Sequence, residues 1–366
     1  MGSAAADPSP LSLLDRGQRI KAGGAILASV AAGVLHYAGA NDVVVFIVAA
    51  AALALLATVV GLGTEALSER MSAGATGIMQ SALGNLPELF VSIFALRAGL
   101  VTVVQASIVG SILGNSLLVL GLAFFLGGWK HGVQKFGAEA PRMISTLLML
   151  AVAALIIPTL VHEFHTPGEP HAEALSVACA VVLLLVFVGS LVVSLRNGGD
   201  SPDPPVEHHG GTPWPTSLAI GLLLIGGVGA ALVSEWFVAA LEPATKTLGI
   251  SEAFTGLVVV AIAGHAVENV VGVQLAMKNK SDYAVSVILN SSLQIALAVA
   301  PILVLLSFVV GAPHHLTLVL PPLMVVALFL AAIISVLVVV DGESTWLEGA
   351  ILIGLYGIIA ASFWWG

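Results

Sequence analysis

The sequence predicts an all-α integral membrane protein of about eleven transmembrane helices, one N-terminal helix followed by two inverted five-helix repeats. Three observations lead there. Of 366 residues, 58% are hydrophobic and 9% charged, and the mean hydropathy is +1.06, a composition suited to lipid as the solvent. Apolar stretches of about 20 residues recur along the chain, enough to cross a hydrocarbon layer about 30 Å thick as helices, and they lack the short alternation of barrel strands. Finally, adding 180 to positions in the first half lands on the second: Gly84 on Gly264, Glu88 on Glu268, Val91 on Val271 and Ser111 on Ser291. A repeat unit with five crossings must insert its second copy upside down relative to the first.

Met1 to Ser12 has no apolar core followed by a small-residue cleavage site and no myristoylation signal, so it reads as a flexible lead. The first helix is expected over 24–40, completing an N-terminal segment 1–41, and the second over 42–62. The third spans 75–97 and should kink or break just before Glu88, because Pro87 removes a backbone donor and Gly84 loosens the same turn. Helices four to six follow at 101–126, 141–162 and 173–195, closing a first repeat at residue 196. Between the fifth and sixth, His162-Glu163-Phe164-His165 through His171 lacks the His-Glu-x-x-His order of a zinc protease and reads as a solvated loop. Residues 197–214, rich in Gly, Pro and Asp, form a linker. The second repeat, 215–366, carries helices at 215–241, 252–277, 282–309, 316–340 and 346–365.

With the N-terminus in the cytoplasm, Arg16, Arg19, Lys21, Arg70, Lys130, Lys135, Arg142, Arg196, Lys278 and Lys280 all fall inside, and only Arg97 and Lys246 outside. That bias places the linker in the cytoplasm and the C-terminus outside, with a bacterial plasma membrane as the expected location. The net charge of −9 is spread over short loops and helix ends, which excludes a nucleic-acid surface and leaves the lipid bilayer as the surrounding partner. Cys179 is the only cysteine, so neither an intrachain disulfide nor a cysteine metal cluster can form. Glu65, Glu69, Glu235 and Glu252 lie near expected membrane surfaces and read as solvated helix ends.

Glu88 and Glu268 are different, because each sits near the middle of an apolar helix. An ionisable group there costs about 2.5–3.5 kcal/mol on insertion scales, and the usual reason for bearing that cost is an ion or a proton. Asn85 and Glu88, three apart, share one helical face, with Ser81 and Ser92 a turn on either side. Ser107, Ser111 and Asn115 form a stripe at spacing four on the next helix, and Asn290, Ser291 and Gln294 make an equivalent cluster in the second half. Taken singly, such serines and asparagines also serve as glue between helices. Carboxylate, amide, hydroxyl and freed backbone oxygens are the ligands hard cations such as calcium or sodium prefer. Burial disfavours a carboxylate's charge while a bound cation favours it, so protons and cations compete for the same oxygens, and two carboxylates match one divalent ion or about two protons. No cofactor is implied; calcium or another hard cation and protons would be the transported ions.

At these residues the chain resembles the calcium/proton antiporters of the calcium/cation antiporter superfamily, whose hallmark is Gly-Asn-x-x-Glu in each of two repeats. Gly84-Asn85-Leu86-Pro87-Glu88 matches it, the following helix from Gln105 through Gly110-Ser111-Ile112-Leu113-Gly114-Asn115 looks like the next element, and Asn290-Ser291-Ser292-Leu293-Gln294 is similar to the family's Gly-Ser-Ser-Leu-Gln. The resemblance covers about residues 40 to 366. It implies that Glu88 and Glu268 carry cations and protons, assisted by Asn85, Ser111 and Ser291, in an exchanger that exports calcium for protons by alternating access. Two positions depart from the pattern: His265 stands where the family has Asn, and Asn290 where it has Gly. A protonated imidazole would repel a bound cation, or the ring could be a neutral packing group. Sodium/proton or sodium/calcium exchange is the neighbouring alternative. A channel would need no proton linkage. An intramembrane hydrolase would need more than the two ligands His265 and Glu268 could supply.

Overall fold

The computed structural model describes residues 14–68, 79, 83–196 and 214–365, and within the helices the side chains of Ser68, 194–196 and 266–268 are outside that description. The helices are α1 (Arg16–Tyr37), α2 (Asp42–Ser68), α3 (Leu86–Arg97), α4 (Val101–His131), α5 (Glu139–Glu163), α6 (Ala172–Arg196), α7 (Thr216–Leu248), α8 (Glu252–Gly264), α9 (Ala266–Met277), α10 (Ser281–Leu306), α11 (Pro322–Val339) and α12 (Trp346–Ser362). Among the described residues, eight helices are long and apolar enough to cross a membrane, or nine with α8 and α9 taken as one bent span; α12 is apolar but shorter.

Local chemistry explains where the ends differ from expectation. The first helix begins at Arg16, eight residues before the expected 24, because Asp15 and Gln18 form a capping box: Gln18 N–H donates to Asp15 Oδ1 (2.7 Å) and Asp15 N–H to Gln18 Oε1 (2.9 Å). Arg16, Arg19 and Lys21 thus lie on the first turns of the helix, where long stems carry charge out to the surface. At the other end of the chain, Thr345 and Glu348 make the same box at the start of α12. The seventh helix runs past its expected end at 241 to Leu248, keeps Pro243 in its interior, and stops at Gly249, which adopts φ +66°.

Two departures are larger. The expected single helix 252–277 is broken at His265 into α8 and α9, bent by 64° across the break. No proline marks this place; a Cβ on Gly264 would come within 3.2 Å of Glu88 Cβ, so the backbone of α8 packs closely against α3 beside the break. The expected helix 316–340 begins only at Pro322, after Pro321. Residues 316–320 are instead an extended strap with Leu316, Leu318 and Leu320 buried in alternation. Side chains of neighbouring helices and of Ser307 take up six of the strap's backbone groups. Leu316 N–H donates to Ser307 Oγ (3.0 Å), Leu318 N–H to Ser176 Oγ (3.0 Å) and Leu320 N–H to Thr159 Oγ1 (2.8 Å). Thr159 Oγ1 in turn donates to Leu318 O (3.0 Å), and Gln105 Nε2 donates to Thr317 O (3.0 Å) and Val319 O (2.9 Å). Non-helical backbone at membrane depth is tolerated when protein satisfies it in this way.

The helices enclose a core in which α4 and α10 are the most buried, while α1 and α6 lie at the periphery. Small residues let backbones meet: Gly110 of α4 lies directly against the Leu257 backbone of α8, and Gly256 of α8 against Val103 O and Ala106 of α4. That crossing packs α4, the helix following the half-helix α3, against α8, the half-helix before the second break. A short antiparallel pair, β1 (Gln134–Lys135) with β2 (Glu343–Ser344), ties the end of α4 to the start of α12.

Candidate cation site

The two breaks place equivalent positions at equivalent points. Asn85 is the residue before α3, and His265 the residue before α9. Glu88 and Glu268 are therefore each the third residue of a half-helix that starts inside the protein, close to exposed backbone N–H groups and the positive end of the helix dipole. Pro87 fits the first turn of α3 because its missing N–H would have no partner there.

Glu88 is fully buried and His265 is 1% exposed, with His265 Nε2 2.6 Å from Glu88 Oε2. The other carboxylate oxygen faces α4: Ser111 Oγ donates to Glu88 Oε1 at 2.6 Å, and Ser107 Oγ approaches it at 3.4 Å. One carboxylate thus joins hydroxyls of its own half to an imidazole of the other half. A turn further along α4, Asn115 Nδ2 donates to Ser291 Oγ of α10 (3.0 Å), and Ser116 Oγ lies 3.0 Å from Ser292 Oγ. Polar contacts thus cross between the halves at two separate places, Glu88–His265 and the Asn115–Ser291 and Ser116–Ser292 pairs, and a small apolar pocket beside the breaks at Pro87 and Gly264 is lined by Leu53, Val91, Phe237 and Val260.

Of the expected site residues, the structure joins Glu88, Ser111 and His265 directly, and Asn115 and Ser291 to each other. Asn85 is buried at the break. Asn290 and Gln294 are half-buried on α10 and make none of the described contacts to Glu88. Glu268 lies in α9 with its side chain outside what is described, and Ser81 and Glu69 are outside the described residues. Ser116 was not among the expected residues, although its place beside Asn115 in a polar stripe could have marked it. The contact between Glu88 and His265 had no sequence signal, because the repeat says which positions correspond but not which touch.

The His-rich loop behaves as a surface. His162 and His165 place Nδ1 at 3.5 Å and 3.0 Å from the Glu169 carboxylate. Among the described residues no group of three or more His, Cys, Asp or Glu could hold a resident metal.

Broken helices meeting inside a bilayer, with buried carboxylate and hydroxyl groups at the meeting point, define an ion transporter rather than a packed structural bundle. The model of the sodium/calcium exchanger protein family matches residues 41–196 and 218–365, and the chain belongs to that family. It is 38% identical over 349 residues to a Ca(2+)/H(+) antiporter of Synechocystis sp., covering 90% of this chain and 92% of that protein. It is 35% identical over 342 residues to the Ca(2+)/H(+) antiporter ChaA of Bacillus subtilis, covering 92% and 95%. Among solved structures, a Ca2+/H+ antiporter protein, YfkE, is 32% identical, with a TM-score of 0.80 over 94% of this chain and 99% of that one. A structure described as the H+/Ca2+ exchanger CAX, 16% identical with a TM-score of 0.68 over 93% and 92%, shares the fold.

Proposed function

We propose that the protein is a secondary active antiporter that exports calcium in exchange for protons by alternating access. The observation that carries the mechanism is Glu88: a fully buried carboxylate with one oxygen accepting a hydrogen bond from Ser111 and the other, which makes no hydrogen bond among the described residues, 2.6 Å from His265 Nε2 of the other half. A proton or a cation relieves the cost of a bare buried carboxylate, so each displaces the other. If the site opens to one side only when occupied, that competition becomes exchange, and a proton gradient drives cation export. Identity to calcium/proton antiporters over most of the chain supports calcium as the cation.

The site is assigned to Glu88 and Glu268 as the cation and proton carriers, with Asn85, Ser111, Ser291 and Asn115 around them; Asn290 and Gln294 enter when the site rearranges. The body is an N-terminal helix plus two inverted five-helix repeats, 42–196 and 215–366, joined by a cytoplasmic linker at 197–214. What supports the repeat is register beyond the motif. The helix breaks fall at Gly84-Asn85 and His265, and wide π-type turns fall at Gly114–Val119 and Ile295–Val299, each pair about 180 residues apart. Rocking one repeat against the other would then expose the breaks to opposite faces.

The experiment is cation-dependent proton movement in proteoliposomes, run with calcium, sodium, potassium and manganese. Calcium-dependent proton movement is expected. Sodium-dependent movement in its place would identify the sodium alternative, and calcium flux indifferent to a pH gradient would identify a channel.

A further inference from the structure

Within the two half-helix starts, the ligand chemistry is not symmetric. The first half places an amide, Asn85, immediately before α3; the second places an imidazole, His265, immediately before α9. That imidazole is not turned away into packing. Its Nε2 lies 2.6 Å from Glu88 Oε2, on the oxygen that the α4 serines do not hold. An ion bound to Glu88 from that side would meet the ring nitrogen as its next ligand. A tetrahedral divalent ion bonded to an imidazole nitrogen and a carboxylate oxygen at about 2.0–2.2 Å holds the two atoms about 3.3 Å apart. Opening the observed contact to that separation moves the ring by less than about 1 Å, within a single rotamer well. The contact is one of distance, with no hydrogen bond between Nε2 and Oε2, so the ring has to turn as well as shift for Nε2, with the ring proton on Nδ1, to direct its lone pair at such an ion.

Building on the antiporter reading, we propose that His265 is a selectivity residue: the contact of its Nε2 with Glu88 Oε2 supplies a nitrogen ligand that extends the transported ions from calcium to transition-metal divalent cations such as zinc and cobalt. Calcium takes oxygen ligands almost exclusively, whereas imidazole suits zinc and the later first-row metals. A site of about six to eight oxygens at calcium's longer bond lengths selects calcium by size and ligand number, and exchanging one oxygen for one imidazole shifts the balance toward zinc and cobalt. The site also lacks any thiolate, Cys179 being the only cysteine and lying on α6, so it stops short of a site that traps soft metals irreversibly.

The test uses the full chain in proteoliposomes under an imposed pH gradient, measuring initial rates for calcium, cobalt and zinc in wild type, His265→Asn and His265→Gln. The expected result is cobalt and zinc transport by wild type, with the ratio of their kcat/KM to that of calcium, measured in the same protein, falling at least about tenfold in His265→Asn whatever the change in the calcium rate itself. His265→Gln, also an oxygen donor, should behave as Asn does and stands in for it if the first variant does not fold. Cobalt titrated into the solubilised protein should give an absorption spectrum of nitrogen-ligated metal that the variants lose. Equal metal ratios in wild type and both variants, or a wild type that moves calcium alone, would overturn the selectivity role. Failure of the wild type to move any divalent ion would overturn the antiporter reading beneath it.

Discussion

At the level of single residues, the proposed site turns on Glu88 being fully buried, so that its charge depends on the groups packed around it. A hydrogen bond to a charged acceptor is worth about 1.5–3 kcal/mol, and Ser111 Oγ at 2.6 Å supplies one. Ser111→Ala should therefore weaken calcium affinity roughly tenfold or more while leaving the protein inserted, measured as the apparent calcium constant for transport. Glu88→Gln and Glu268→Gln should each abolish exchange, because the amide keeps size and an oxygen but can neither carry charge nor exchange a proton. Full transport by either variant would remove that carboxylate from the mechanism. These residues were legible in the sequence, since an acid in an apolar helix is costly enough to need a purpose. His265 was legible only as an oddity. Its partner lies 177 positions away, and no local pattern connects them.

At the level of elements, breaks and straps carry the design. Pro87 and Gly84 announce the first break in the sequence, whereas the second, at His265, has no proline to mark it and lies where Gly264 packs closely on Glu88, a contact between distant parts of the chain. The same distinction separates the helix ends. Capping boxes at Asp15 and Thr345 are local signals, but hydropathy alone extended the tenth helix through 316–320, which is extended because Gln105, Thr159, Ser176 and Ser307 bind its backbone. Gln105 is the test of that strap, since its amide alone serves both Thr317 O and Val319 O. Gln105→Leu should leave two partly buried carbonyls without that donor and lower stability by about 1–3 kcal/mol, read as a drop in the melting temperature of the solubilised protein. An unchanged melting temperature would show that the strap holds without it.

At the level of the whole molecule, an integral membrane protein built of helices is what composition and hydropathy anticipated, with one break expected before Glu88 and the second not foreseen, and the relatives supply its family. The number of crossings and the inverted arrangement rest on the repeat register and the distribution of basic residues. A reporter inserted at Asp200 should be cytoplasmic and one after Gly366 external; finding both on one side would refute an odd number of crossings.

The account stands or falls on competition between calcium and protons for Glu88. Calorimetry of calcium binding to the purified protein, repeated in buffers of different ionisation enthalpy, counts the protons released per ion bound. At a pH where the empty site is protonated, wild type should release about two, and Glu88→Gln should bind calcium far more weakly and release fewer. Calcium binding of equal affinity in both, with no proton released in either, would contradict it.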